Sequence, residues 1–208
     1  GNASVQAAGW FNKELNSIDD YKGLKVRSGG LGAKVLTEVG ATPVQMPLGE
    51  VPQGLQSGAI DGADFVGPMN DMAFGLHKVA KYYYWPGWME PCGVLDCMIN
   101  MAAWEKLPDD LKEIVKGANM MANQVVLNEF VAKNGQALAQ MKSEGVDVRT
   151  LNDDVLKKLA EVSSGVVQSV ADSDPLATKV YDSIKDFMTT IKPYTEISEG
   201  AYINARPV

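Results

Sequence analysis

Arginine is scarce in this chain: Arg27, Arg149 and Arg206 are the only three, beside 16 lysines. Arg27 closes the short apolar-centred stretch Lys25-Val26-Arg27 and precedes Ser28-Gly29-Gly30. A guanidinium at the C-terminal end of a strand, facing a crevice, suits bidentate capture of a carboxylate. The same pattern also fits a surface arginine. A second constellation offers oxygens near aromatic residues: Gln6, Asp64, Asp71 and Glu90. Hard cations take oxygen ligands, and carboxylates from separate strand ends converge only in a fold. Read singly, these residues also fit ordinary solvated acids and amides. The run Tyr82-Tyr83-Tyr84-Trp85-Pro86-Gly87-Trp88 is suited to lining a ligand pocket, sealing an interface between lobes, or packing a core. The longer segment around it, Met69–Pro91, is aromatic and rich in turn residues.

Other chemistries find little material. The single histidine, His77, has no Cys or Ser nearby in sequence, so a nucleophile–base pair is not expected. Ser28-Gly29-Gly30-Leu31-Gly32-Ala33-Lys34 lacks the spacing of a phosphate-binding P-loop, and no G-x-G-x-x-G occurs. Cys92 and Cys97 lack the second pair that a structural zinc site uses. They read as two small buried thiols, held apart by a strand across Val94–Asn100. Nineteen Lys+Arg against 26 Asp+Glu leave a net charge of −7, which disfavours nucleic acid as a partner. With 46% hydrophobic and 22% charged residues, the 208-residue chain has globular composition. No apolar run approaches the roughly 18 residues of a membrane span. The opening Gly-Asn-Ala-Ser-Val-Gln has no initiator Met and no signal-peptide pattern. Ten methionines are many, and Met98, Met101, Met120 and Met121 are expected to fill gaps in the core.

The elements that position the candidates follow a simple order. A strand around Val26 leads to a helix in which Leu31, Val35, Leu36 and Val39 share a face, with Gly40 at its end. A strand over Thr42–Pro47, a helix ended by Gly58 and a strand over Ala59–Pro68 follow. Strand–helix–strand–helix–strand makes parallel pairing the default. Met72, Leu76, Val79 and Ala80 suggest a short helix, and the stretch after Cys92 suggests a strand running into another helix. Pro108 to Glu144 is the longest periodic stretch, 37 residues with Pro108 and two aspartates at its start. Leu111, Ile114, Val115, Ala118, Met121, Ala122, Val125 and Leu138 form its apolar stripe. At 1.5 Å per residue it would reach about 55 Å, enough to bridge two lobes. Gly145 closes it; a strand over Val146–Thr150, a cap at Asn152 and two or three helices complete the chain.

Taken together, five strings resemble the solute-binding proteins of TRAP transporters, the DctP family: SVQAAGWFNKEL, DDYKGLKVRSGGLGAKVLTEVGATPV, LQSGAIDGADFVGP, LHKVAKYYYWPGWMEP and YDSIKDFMTTIKPYTEISEGAY. The likeness is greatest to the branch that binds 2-oxo acids and related carboxylates. It implies a two-lobed α/β fold of the periplasmic-binding-protein kind, with a long lobe-spanning helix and without the N-terminal portion of the first lobe. Residues 1–66 would then be the second lobe, 67–107 the return to the first, 108–145 the spanning helix, and 146–208 the C-terminal strand and helices. The resemblance implies that Arg27 clamps the substrate carboxylate. It implies a cation, Na⁺ or Ca²⁺, held with the substrate by the Gln6 side chain, the Asp64 carboxylate, the Phe65 carbonyl and the Glu90 carboxylate. Gln6, Phe65 and Trp88 would also line the substrate.

Two substitutions set this chain apart from the branch, which often carries Glu-Trp where Asp64-Phe65 stand. Asp is one methylene shorter, so the cation shifts or a water fills the gap; Phe keeps its carbonyl but presents a smaller wall. The implied function is extracytoplasmic capture of a small carboxylate, such as pyruvate or lactate, for a transporter's membrane subunits, in the periplasm. An alternative is a metal-assisted enzyme acting on a small oxo acid. The resemblance also implies pairing of two copies through the C-terminal helices. There Val180, Ile184, Phe187 and Ile191 form a stripe that packing within one chain would also explain.

Overall fold

A computed structural model describes residues 1–206. Eight strands run in the order β1 (Asn2–Val5), β2 (Gly9–Phe11), β3 (Lys25–Arg27), β4 (Thr42–Val44), β5 (Gly62–Ala63), β6 (Tyr82–Trp85), β7 (Cys92–Val94) and β8 (Asp147–Thr150). The helices are α1 (Gly30–Glu38), α2 (Val51–Ser57), α3 (Pro68–Ala73), α4 (Met101–Glu105), α5 (Asp109–Ser143), α6 (Asp153–Ala171), α7 (Pro175–Thr195) and α8 (Ala201–Ala205). Among the described residues no helix is long and apolar enough to cross a membrane.

Six strands form one mixed sheet, ordered β4-β3-β5-β2-β6-β8, while β1 and β7 pair antiparallel beside it. β3 lies parallel to both β4 and β5, as the alternating strand–helix pattern predicts. β2 runs antiparallel to β5 and β6, and β8 closes the other edge parallel to β6. Apolar side chains from both faces build the core. Trp10, Val51, Leu55, Ile60, Ala63, Leu76, Tyr83 and Met141 cluster there without solvent contact or nearly so. Trp10 and Tyr83, from neighbouring strands, stack with ring centroids 4.1 Å apart. The aromatic run read as turn-rich is therefore an inner strand: Tyr82, Tyr83 and Tyr84 are all buried.

Several elements stand where the pattern placed them, with shifted bounds. The third strand shrinks to Gly62–Ala63. The helix expected around Met72–Ala80 divides into α3 and a single 3₁₀ turn at Leu76–Lys78, because Gly75 adopts a left-handed φ of 75° between them. The long helix covers 35 residues, and Gly145 ends it with φ 93°. Asn134 of α5 accepts a hydrogen bond from the Met69 N–H at 3.0 Å, which fastens α3 to it.

Two expectations about burial fail. Cys97 is exposed and Cys92 half-buried, because the strand stops at Val94 rather than running to Asn100. Met98, Met101, Met120 and Met121 lie open, at 93, 66, 76 and 67% exposure, so they fill no gaps in this chain. The apolar stripe of α5 is real as a helical face, yet Leu111, Ile114, Met121 and Val125 are exposed and only Met141 is buried.

The described residues divide into two compact units, 1–163 and 164–206. Within the second unit an apolar groove of about 420 Å³ lies between the end of α6 and the start of α7, lined by Val167, Val170, Leu176, Val180 and Ile184. The side chains of Val180, Ile184 and Phe187 are more than half exposed. Ile191, the fourth residue of that stripe, is half-buried.

Candidate carboxylate and cation site

Arg27 ends β3, and its register partner on β5 is Ala63, so Asp64 emerges beside it at the same sheet end. Both strands point the same way, and their C-terminal ends open onto the crevice where α/β sheets bind ligands. The guanidinium Nη1 donates to Asp64 Oδ1 at 2.9 Å and to the Asp64 carbonyl at 3.3 Å. Nε donates to the Met46 carbonyl at 3.4 Å. Nη2 has no protein partner among the described residues. Ser28 Oγ donates to the second Asp64 oxygen at 3.2 Å. Burial pushes the Asp64 carboxyl above its ordinary pKa, against the opposing pull of Arg27 and Ser28.

Two clefts share Arg27 and Gly29. One, of about 420 Å³, is lined by Arg27, Gly29 and the first residues of α1, Asp64, Met89 and Glu90. The other, of about 430 Å³, is lined by Arg27, Ser28, Gln45, Met46 and Pro47. The structure thus brings Arg27, Asp64 and Glu90 to one cleft; Gln6, Phe65 and Trp88 are not among the lining residues.

Gln6 is nevertheless tied to both acidic segments through the backbone. Its N–H donates to the Pro91 carbonyl at 3.2 Å, next to Glu90. The following Ala7 N–H donates to the Val66 carbonyl at 3.3 Å, next to Phe65. Gly87 N–H donates to the Gln6 carbonyl at 2.9 Å. A Cβ on Gly87 would stand 2.6 Å from that carbonyl, and one on Gly93 would stand 2.7 Å from Gln6 Nε2. Two glycines therefore let Gln6 sit 93% buried between the three segments. Phe65 is half-buried with its ring 4.9 Å from that of Phe74; Trp88 is half-buried and Glu90 exposed.

Asp71 does not belong with the candidate cation ligands. It is fully buried, and all its capacity goes to protein donors. Oδ2 accepts from Trp10 Nε1 and from the Tyr83 hydroxyl, both at 2.8 Å. Oδ1 accepts from the Val66 and Gly67 N–H groups at 3.2 and 2.9 Å. Burial pushes its carboxyl up to about 6. The sequence signal for this role was the pair of buried aromatic donors, which must find an acceptor. His77 pairs with Glu144 at 3.3 Å and stands outside the site. Among the described residues no three His, Cys, Asp or Glu side chains gather to hold a metal ion. A cation here would lean on amide and carbonyl oxygen as well as carboxylate, which a hard ion accepts.

The family model described as bacterial extracellular solute-binding protein, family 7 (DctP), matches residues 1–174. The chain belongs to this family. A monocarboxylate 2-oxoacid-binding periplasmic protein of Nostoc is 37% identical over 204 residues, covering 98% of this chain and 56% of the relative. Two crystal structures of TRAP periplasmic solute-binding proteins superpose closely. That from Colwellia psychrerythraea, with bound calcium and pyruvate, has a TM-score of 0.94 and 34% identity over 99% of this chain and 63% of the other. That from Pseudoalteromonas atlantica, with bound sodium and pyruvate, has a TM-score of 0.93 and 33% identity over 100% of this chain and 63% of the other. This DctP-family chain therefore has the α/β fold of TRAP periplasmic binding proteins and spans little more than half the length of the Nostoc relative.

Proposed function

We propose that the chain serves as the extracytoplasmic solute-binding component of a TRAP-type transporter, capturing a small carboxylate, such as the 2-oxo acid pyruvate, together with Na⁺ or Ca²⁺. The observation that carries the reading is Arg27 paired with Asp64 at the mouth of a cleft that Glu90 also lines. Support comes from the relatives: the Nostoc protein is named for 2-oxo acids, and the two closely similar structures hold pyruvate with calcium or sodium.

In this reading the Arg27 guanidinium takes the ligand carboxylate through Nη2 and Nη1. The cation takes Asp64, the Phe65 carbonyl, the Gln6 amide oxygen and Glu90, plus ligand oxygens. A bound cation would relieve the cost of keeping the Asp64 carboxylate charged while buried, and would free Arg27 from it. Trp88 and Phe65 would form walls. Residues 1–66 would be the second lobe, 67–107 the return segment, 108–145 the spanning helix and 146–208 the C-terminal part. The periplasm would be the compartment, the transporter's membrane subunits the partner, and a second copy would pair through the exposed α7 stripe. Calorimetry of the full chain with pyruvate, lactate and C4 dicarboxylates, each with and without Na⁺ or Ca²⁺, tests this. Cation-dependent heat with a 2-oxo acid is expected; no heat with any of them overturns it.

A further inference from the structure

Asp71 uses all four of its hydrogen bonds to join parts of the chain that carry the site. Its Oδ2 is fixed by Trp10 of β2 and Tyr83 of β6, which stack on each other inside the sheet. Its Oδ1 holds the N–H groups of Val66 and Gly67, the two residues directly after Asp64 and Phe65. At its start the segment is held by Arg27 and Ser28, which bond the Asp64 carboxylate and carbonyl; Asp71 holds its far end. Val66 lends its carbonyl to Ala7, the neighbour of Gln6, and Asp64 N–H donates to Arg27 at 3.2 Å. Behind it, Asn134 of α5 holds Met69. β5 itself is only two residues long.

We infer that Asp71 is a positioning residue: its carboxylate hangs segment 64–67 from the Trp10–Tyr83 stack and so sets where the Asp64 carboxylate and Phe65 carbonyl meet a cation. It touches neither ligand nor cation. The role rests on the cation site proposed above, and it deepens that site by naming what fixes two of its oxygens. Partners one step behind metal ligands commonly govern affinity by about 10- to 100-fold.

The test compares wild type with Asp71→Ala and Asp71→Asn in the full chain. Pyruvate is titrated calorimetrically at a series of Ca²⁺ concentrations, and amide exchange is followed by NMR at Val66 and Gly67. Asp71→Ala should raise the Ca²⁺ concentration needed for half-maximal binding by about tenfold or more. In Asp71→Asn the remaining carbonyl oxygen still serves the two amides and the NH₂ can donate to the Tyr83 hydroxyl, which keeps the segment tied to the stack, so the midpoint should return to within about threefold of wild type. A side chain that only stabilised the fold would give no such rescue, since the new NH₂ group faces the Trp10 N–H and still costs stability. In wild type, the Val66 and Gly67 amides should exchange as slowly as Val26 in β3. An unshifted midpoint in Asp71→Ala, or Val66 and Gly67 amides that exchange like those of the open Gly49 turn, overturns the inference. Should Asp71→Ala not fold, the exchange rates decide alone. Should wild type bind no pyruvate, the transport reading fails, while the exchange rates still decide whether Asp71 holds the segment.

Discussion

At the scale of single residues, the Asp71 carboxyl carries the clearest pH signature. Its pKa in the folded chain is raised to about 6 from an ordinary 3.8. Above about 6 both folded and unfolded chains are ionised there, and the folded chain bears the cost of a buried charge. Below about 3.8 both are protonated and the cost is gone. Stability should therefore rise as pH falls from about 6 to about 4, by roughly 3 kcal/mol at most from this group. The exposed Glu14 has the opposite sign: bonds from Arg149, Tyr82 and Asn16 lower its pKa to about 2, so its contribution fades as pH falls below about 4.5. Thermal unfolding between pH 3 and 7 should show a maximum near pH 4, and Asp71→Asn should flatten the limb above it. A second residue-scale prediction concerns Gly87. Its Cβ would meet the Gln6 carbonyl at 2.6 Å, a backbone atom with no room to yield. Gly87→Ala should shift Gln6 and weaken cation-dependent pyruvate binding by about tenfold, measured by calorimetry.

At the scale of elements, Asn134 is the fastening between α5 and α3. Its oxygen satisfies the Met69 N–H, one of the donors a helix leaves open at its first turn. Asn134→Ala should cost about 1–3 kcal/mol in chemical denaturation, because that N–H is left without a partner. Much of the element order was legible. The β3-α1-β4-α2-β5 order follows from alternating apolar runs and from Gly40, Gly58 and Pro68 as punctuation, and the α5 bounds follow from Pro108 and Gly145. β6 was not legible, because Tyr82–Trp85 is covered on both faces and so shows no alternation, while Pro86 and Gly87 beside it signal a turn. β1 and β2 were missed for a related reason. They are three or four residues long and exist through pairing with residues about 50 to 90 positions away, which local pattern does not record. In the site, Arg27 and Asp64 were named from sequence and meet at 2.9 Å. In sequence Asp71 stands with the other candidate oxygens, because a carboxylate's partners are invisible until the fold brings Trp10 and Tyr83 to it.

At the scale of the whole molecule, the placement of apolar surface matters most. Met98, Met120, Met121 and Val125 are open, as are Val180, Ile184 and Phe187 of α7. Within the second unit, the α7 residues line one side of the apolar groove, and large exposed apolar patches commonly mark docking sites. A second copy on α7 predicts a dimer in sedimentation at micromolar concentration, converted to monomer by Ile184→Glu with Phe187→Glu; a monomeric wild type would refute it. At the same scale, the proposed ligand capture would depend on one guanidinium opposite a cation cage. Calorimetric titration of pyruvate into wild type and Arg27→Ala, with Ca²⁺ or Na⁺ present, probes that dependence most directly. Loss of the carboxylate's partner should weaken binding by at least about 100-fold, beyond detection for a ligand of this size. Binding by Arg27→Ala within a few-fold of wild type would contradict it.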